Sequence, residues 1–423
     1  MGKPTIRFKG YTDDWEQRKV PELLKNSSSA MKIGPFGSAL KKEYFVEEGV
    51  KVYAQENVFT GDFSIGSYYI TEDKYKELQS CELYPGDLVI SMMGTIGACA
   101  IFPENMEKGI MNSHLLRLQF DNEVVPKYIM YLLRDSDLIR KQIDRLSVGS
   151  IMSGLSSSVV KKLVFPIPRL AEQKKIIEYL DSLDKIITLH QRKCEETKKL
   201  KKFMLQKMFP KKGEKVPEIR FDDFTDDWEQ RKVPELLKNS SSAMKIGPFG
   251  SALKKEYFVE EGVKVYAQEN VFTGDFSIGS YYITEDKYKE LQSCELYPGD
   301  LVISMMGTIG ACAIFPENME KGIMNSHLLR LQFDNEVVPK YIMYLLRDSD
   351  LIRKQIDRLS VGSIMSGLSS SVVKKLVFPI PRLAEQKKII EYLDSLDKII
   401  TLHQHKCEEL QNIKKFMLKN MFI

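Results

Sequence analysis

Leu170-Ala-Glu-Gln-Lys-Lys-Ile-Ile-Glu-Tyr-Leu-Asp-Ser-Leu-Asp-Lys-Ile-Ile-Thr-Leu-His-Gln-Arg-Lys-Cys-Glu-Glu-Thr-Lys-Lys-Leu-Lys-Lys-Phe-Met-Leu-Gln-Lys-Met208 contains no proline or glycine. Ile176, Leu180, Leu183, Ile187, His190, Cys194, Thr197, Lys201, Met204 and Met208 follow one another at alternating steps of four and three. That is the a/d seam of a coiled coil carried on one long helix. The stretch returns at Leu383–Met421, with its seam at Ile389, Leu393, Leu396, Ile400, His403, Cys407, Leu410, Lys414, Met417 and Met421. Neither stripe is wide enough to form a core alone, so the two are expected to bury each other, and Ile176, Leu180, Leu183, Ile187, Ile389, Leu393, Leu396 and Ile400 are the helix-pairing residues. The alternative is that each helix packs on its own globular domain. The polar breaks at His190 and Lys201 fit a spacer rather than a uniform zipper.

Working outward, Thr12 to Gln191 matches Thr225 to Gln404 residue for residue, an offset of 213, so the chain is a duplication. The organisation expected is a globular domain over 1–169, a long helix over 170–209, a polar linker over 210–217, a second domain over 218–382 and a second helix over 383–423. A repeat this long is not a solenoid or propeller unit. Two equal units tend to pack about a pseudo-two-fold axis, and antiparallel pairing of the helices would satisfy it. At a rise of about 1.5 Å per residue each helix would span roughly 57 Å.

The 423 residues are 43% hydrophobic and 28% charged, with net charge +4, as in a soluble protein of two or three domains. No apolar run is long enough for a membrane span, and the N-terminus lacks the apolar stretch of a signal peptide. Six scattered cysteines fit buried thiols in a reducing cytoplasm better than disulfides or a zinc site. Basic residues crowd 192–215, a run that suits either a solvated helix face or a phosphate backbone.

Within the unit, 49–58, 64–70, 88–92, 98–102 and 113–120 are rich in β-formers and read as strands. Thr71 is placed to cap a helix reaching about Cys81. Pro126 begins a helix to Arg134, and a second runs from Asp137 to Arg145. Pro166-Ile-Pro168 stops the chain before the long helix. Each unit is therefore a mixed α+β domain bearing a helical spike.

Catalytic signatures are absent: no phosphate-binding Gly-x4-Gly-Lys loop, no Gly-x-Ser-x-Gly elbow and no adenine-methyltransferase motif. Glu72-Asp-Lys74 holds only the Glu-x-Lys half of a nuclease site. What remains are loops suited to contact. Lys32, Lys41 and Lys42 flank Gly34, Phe36 and Ser38, with Tyr44 following; glycines allow close approach and lysines meet phosphates. The same loop stabilising its own hairpin is the competing reading. Gln55 and Asn57, at the end of a strand, have the side-chain amides that pair with an adenine edge. Asn112, His114 and the loop bearing Arg145 and Ser150 are further candidates, though a lone histidine is also a common hydrogen-bonded structural residue. The second copy supplies Lys245, Gly247, Phe249, Ser251, Lys254, Lys255, Tyr257, Gln268, Asn270, Asn325, His327, Arg358 and Ser363. No metal site is expected.

The ordered set Phe224-Thr-Asp-Asp-Trp-Glu-Gln-Arg-Lys232, Gly34-Pro-Phe-Gly-Ser38, Gly86-Asp-Leu-Val-Ile90 and Pro166-Ile-Pro-Arg-Leu-Ala-Glu-Gln-Lys174, arranged as domain, helix, domain, helix, resembles the specificity subunit of type I restriction–modification systems. The resemblance covers the whole chain. It implies a non-catalytic subunit whose two target-recognition domains each read half of a bipartite site in double-stranded DNA, while the paired helices set the gap. Two methyltransferase subunits, carrying S-adenosylmethionine for adenine-N6 methylation, and two ATP- and magnesium-dependent motor-nuclease subunits are the implied partners; the chain itself needs no cofactor. That family usually carries two different recognition domains. Here they are identical, so the implied target is an interrupted palindrome. A self-contained nuclease and a pure interaction adaptor are the rival classes.

Overall fold

The computed structural model describes residues 4–147, 155–211, 213–360 and 368–422. The chain forms two compact units, one of residues 1–190 with 405–423 and one of residues 191–404. Each unit therefore holds one globular domain, the beginning of its own long helix and the end of the other.

In the first unit the domain opens with β1 (Glu16–Lys19), the short helix α1 (Val20–Leu23) and β2 (Met31–Ile33). Then come β3 (Phe45–Val46), β4 (Val50–Tyr53), α2 (Gln55–Thr60), β5 (Tyr69–Ile70), α3 (Glu72–Leu78), β6 (Leu88–Ser91), β7 (Cys99–Ile101), β8 (Gly109–Met111) and β9 (Leu115–Leu118). Helices α4 (Pro126–Asp135), α5 (Asp137–Leu146) and α6 (Ser157–Lys162), strand β10 (Val164–Ile167) and the long helix α7 (Leu170–Lys207) complete it. Every element recurs 213 residues later, ending in the second long helix, Leu383–Met421.

Two four-stranded sheets form the body. One, in the order β2-β9-β6-β7, is antiparallel throughout; the other, β3-β5-β4-β8, contains a parallel pair, β4 with β8. The first sheet packs under α4 and α5, and Trp15, Leu116 and Tyr128 lie in that core. A second core, around Tyr53, Phe63 and Phe102, fills the space at the other sheet. Arg117, on the central strand β9, is buried and donates to the carbonyls of Glu82 and Ser29, with Asp87 3.8 Å away. Burial, more than this neighbour, sets the Asp87 carboxyl, raising its pKa.

The expected strand over 49–58 is shorter than its composition indicates. Only Val50–Tyr53 is extended, because Asn57 Oδ1 accepts the Ala54 N–H at 2.8 Å and turns the chain into α2, which Gly61 ends at φ +71°. The strand expected at 64–70 survives as Tyr69–Ile70 alone. Thr71 does cap its helix, accepting from the Lys74 N–H. The composition gave no sign of β1 and β10, which pair antiparallel with Gln17 opposite Pro166; a proline is tolerated on such a two-stranded edge.

The long helix is clamped at its start. Arg7 makes a bidentate pair with Glu172 at 2.6 and 2.8 Å, and the indole N–H of Trp15 donates to the same carboxylate. Gln173 donates to the carbonyls of Glu123 and Pro168 and accepts the Val125 N–H. The 166–174 motif is therefore a joint between domain and helix. Further along, still in the first unit, Ile176 and Leu180 share the core with Leu418, Met421 and Phe422. Leu183 and Ile187 pack with Leu410 and Ile413, and the Cys407 thiol reaches the Ile187 carbonyl. Partners descend in number as α7 ascends, so the two helices are antiparallel there. In the second unit Ile389 and Leu393 pack with Leu205, Met208 and Phe209, Leu396 is buried, and the Cys194 thiol lies 4.0 Å from the Ile400 carbonyl. Packing on the globular domain and packing on the other helix are thus both realised, each by part of the seam. Among the described residues no helix is long and apolar enough to cross a membrane.

Candidate nucleic-acid interface

Strand directions decide which loops can act together. Strands β2 and β6 both run antiparallel to β9, so their C-terminal ends lie beside its start. Strands β4 and β8 are parallel and end side by side. The chain leaving these four ends, 34–38, 54–57, 92–98 and 112–114, therefore emerges along one edge, where loops on a rigid scaffold are free to contact a ligand. Hydrogen bonds tie the loops together. The Gly34 N–H donates to Leu115 O, Met92 N–H to His114 O and Asn112 N–H to Tyr53 O, at 3.0, 2.8 and 2.9 Å. Gln55 Nε2 donates to Ser91 Oγ and to Met93 O.

The structure distributes the sequence-predicted residues unevenly. Phe36, 62% exposed, and Ser38 project from the first loop, and Lys41 and Lys42 are exposed beyond it, Lys41 3.5 Å from Glu43. Gly34 is buried: a Cβ there would stand 1.8 Å from the Asn112 carbonyl oxygen, so its close approach is to a neighbouring loop and not to a ligand. Tyr44 is half-buried, with the Lys74 ammonium 4.2 Å from its ring centre. Lys32 is half-buried on β2. His114 is exposed, and its backbone N–H donates to Asn112 Oδ1 at 3.0 Å.

Asn57 corrects an expectation. It lies on α2, not at a strand end, and is buried; its amide donates to the Asp62 and Ile65 carbonyls while its oxygen caps the helix. With all three bonds internal it has nothing to offer a base edge. Gln55 also sits on α2, half-buried, and spends its amide hydrogens bracing the 92–98 loop. Arg145 is exposed in the last turn of α5, with no bond to the loop edge among the described residues. Ser150 and Ser363 lie outside the described residues.

The second unit repeats the pattern. Phe249 is as exposed as Phe36, Lys254 lies 3.5 Å from Glu256, Lys255 and Ser251 are exposed, and Lys245 is half-buried. Gly247 is pressed on Asn325, the Lys287 ammonium covers Tyr257, and the His327 backbone N–H donates to Asn325 Oδ1. Gln268 braces Met306 O and Asn270 is buried; Arg358 Nε turns back to its own helix at Lys354 O.

Sequence reasoning missed Phe59, Met93 and Ile96, all exposed large apolar side chains at this edge. The signal was present in Met93-Gly-Thr-Ile-Gly97, where Met93 and Ile96 are interleaved with two glycines immediately after a buried strand. Among the described residues no group of three or more His, Cys, Asp or Glu side chains is placed to hold a metal.

Comparison with known proteins gives a consistent result. The family profile described as the type I restriction modification DNA specificity domain matches twice, at residues 13–199 and 226–412. The type I restriction enzyme MjaVIII specificity subunit of Methanocaldococcus jannaschii is 26% identical over 320 residues, covering 73% of this chain and 72% of that protein. A second sequence from that organism, named as the MjaX specificity subunit, is 26% identical over 421 residues, covering 95% and 91%. The crystal structure of a type I restriction–modification S subunit from M. genitalium superposes with a TM-score of 0.58 at 15% identity, covering 100% of this chain and 99% of that one, a likeness of fold.

Proposed function

Because the chain belongs to the family of type I restriction–modification specificity proteins, we propose that it is the subunit that reads DNA and performs no chemistry itself. Each globular domain reads one half of a bipartite site with the loops along its β2–β4–β6–β8 edge. The observation that supports this most directly is the recurrence of that edge, residue for residue and bond for bond, in both units. Identical readers take identical half-sequences, so the target is an interrupted palindrome. Affinity comes largely from Lys41, Lys42 and their repeats on phosphates, base choice from the loop tips.

Adenine-N6 methylation and ATP-dependent cleavage fall to partner subunits in the cytoplasm, two methyltransferase subunits that bind S-adenosylmethionine and two motor-nuclease subunits that use ATP and magnesium. The long helices supply surface for such partners: Ile186, Leu189 and Phe416 are exposed in one unit, Leu200, Phe203 and Leu402 in the other. Exposed apolar residues recurring at heptad spacing on a helix are suited to packing another helix. Mapping methylated adenines in cells that express this chain with its partners tests the whole reading. A gapped motif with mirror-related halves is expected, and a lopsided motif refutes it. Nicking of DNA by the purified chain with magnesium alone would instead favour a self-contained nuclease.

A further inference from the structure

Resting on that reading, we infer that the 92–98 loop identifies thymine, by packing Met93 and Ile96 against the C5-methyl group in the major groove. Met93, Ile96 and Phe59 are 45%, 44% and 48% exposed, and their repeats Met306, Ile309 and Phe272 are 42%, 46% and 49% exposed. Exposed apolar side chains are ordinary when scattered; two on one loop with a third, Phe59, beside it on α2 form a patch.

The loop is held in shape from several directions. Gln55 Nε2 and Ser91 Oγ both donate to Met93 O, at 3.2 and 2.7 Å. Gly94 at φ +83° lies against the Phe59 ring, where a Cβ would stand 3.1 Å from the ring edge. Gly97 at φ +82° passes so close to Leu133 that a Cβ would be 2.6 Å from its carbonyl oxygen. A contact surface already fixed loses little entropy when it binds. This explains why the Gln55 amide is spent on the backbone of its neighbour: it positions the reader instead of reading.

The surroundings favour nucleic acid over protein. Behind Ile96 and Phe59 opens a hollow of about 730 Å³ that Lys127, Arg134 and Arg140 also line. Lys127 and Arg134 are paired with Asp181 and Asp135, but Arg140 has no ion pair among the described residues and is exposed. The repeat places Arg347 and Arg353 in the corresponding hollow, of about 580 Å³. An apolar tip flanked by an available guanidinium matches a groove floor flanked by phosphates. The Met93 and Ile96 side chains carry no hydrogen-bond donor and at most a weak thioether acceptor, and the one apolar group on a major-groove edge is the thymine methyl. Burying one methyl corresponds to about fourfold in affinity.

The test uses the chain assembled with its methyltransferase partners and duplexes carrying the mapped motif. Each thymine is replaced in turn by deoxyuridine, which keeps every hydrogen bond and removes only the methyl. Binding is expected to weaken about fourfold at one or more positions in each half-site. In a variant with Met93→Ala, Ile96→Ala, Met306→Ala and Ile309→Ala that sensitivity should vanish, while the slope of log affinity against log salt stays unchanged. A silent deoxyuridine scan, a half-site without thymine, or a variant that keeps the sensitivity overturns the inference. The scan on the unmodified chain decides the matter even if the variant fails to fold. Loss of methyltransferase co-purification in the variant together with a silent scan assigns the surface to protein and also overturns it. Failure to retain any specific duplex would sink the underlying DNA reading, an outcome distinct from a silent scan.

Discussion

Replacing Lys201 and Lys414 by methionine should destabilise the protein even though each interrupts an apolar seam. In the second unit Lys201 Nζ lies 2.8 and 2.9 Å from the two Asp397 carboxylate oxygens, 3.6 Å from Asp348 and 5.0 Å from the centre of the Tyr344 ring. The Tyr344 hydroxyl faces both Asp394 and Asp397, at 2.6 and 2.8 Å, and can donate to one at a time; burial and these carboxylates push its pKa up. Lys340 pairs with Asp394 at 2.7 Å. Three carboxylates and two ammoniums thus share one cluster, and the first unit repeats it with Lys414, Asp184, Asp135, Tyr131, Asp181 and Lys127. Removing one partner of a fully buried pair costs about 3–5 kcal/mol. The Lys201 side chain is 12% exposed but Asp397 is 40% exposed, so water screens part of the charge left behind and about 1–2 kcal/mol per unit is expected. For units of this size that lowers the melting temperature by roughly 2–8 °C. Adding Asp397→Asn and Asp184→Asn to the methionine variant should recover part of the loss, and a double-mutant cycle reads the coupling directly. An unchanged or raised melting temperature would show that desolvation of the lysines outweighs their pairing, and the argument for an electrostatic lock would fail.

Other outcomes follow from the same structure. Asn57→Ala with Asn270→Ala strips three backbone groups per unit of their partners and should cost about 2–4 kcal/mol in urea denaturation; an unchanged midpoint would remove Asn57 from its structural role. Burial pushes the Cys99 and Cys312 thiols up from 9.0 to about 12. The unfolded chain therefore releases these protons first, and stability falls as pH rises from about 9 toward 12, by roughly 1.4 kcal/mol per thiol at pH 10. Cys99→Ala with Cys312→Ala should flatten that part of the pH dependence of the denaturation midpoint. Lys41→Ala and Lys42→Ala, made with Lys254→Ala and Lys255→Ala, should weaken DNA binding and reduce the salt slope by about 0.9 for each phosphate left without its lysine. Binding that is identical across a salt titration would take that loop out of the interface.

The sequence alone determined whatever depends on order and period along the chain. A 213-residue repeat, a heptad stripe free of helix breakers, a capping Thr71 and a Pro126 at a helix start are local signals, and neighbours in sequence read them without a fold. The polar break at Lys201 was visible too, but its reason was not, because Asp348 and Asp397 are brought to it from more than a hundred residues away. Strand pairing is likewise a matter of distant partners: β1 meets β10, and their composition carries no alternation that announces it. The same limit governed the candidate interface. Gln55, Asn57 and Met93 look alike as loop residues in a string, yet tertiary structure buries Asn57, turns Gln55 into a brace and leaves Met93 in solvent. Exposure and hydrogen-bond satisfaction are properties of the packed chain, so only the packed chain could separate side chains open to solvent from those committed to the scaffold.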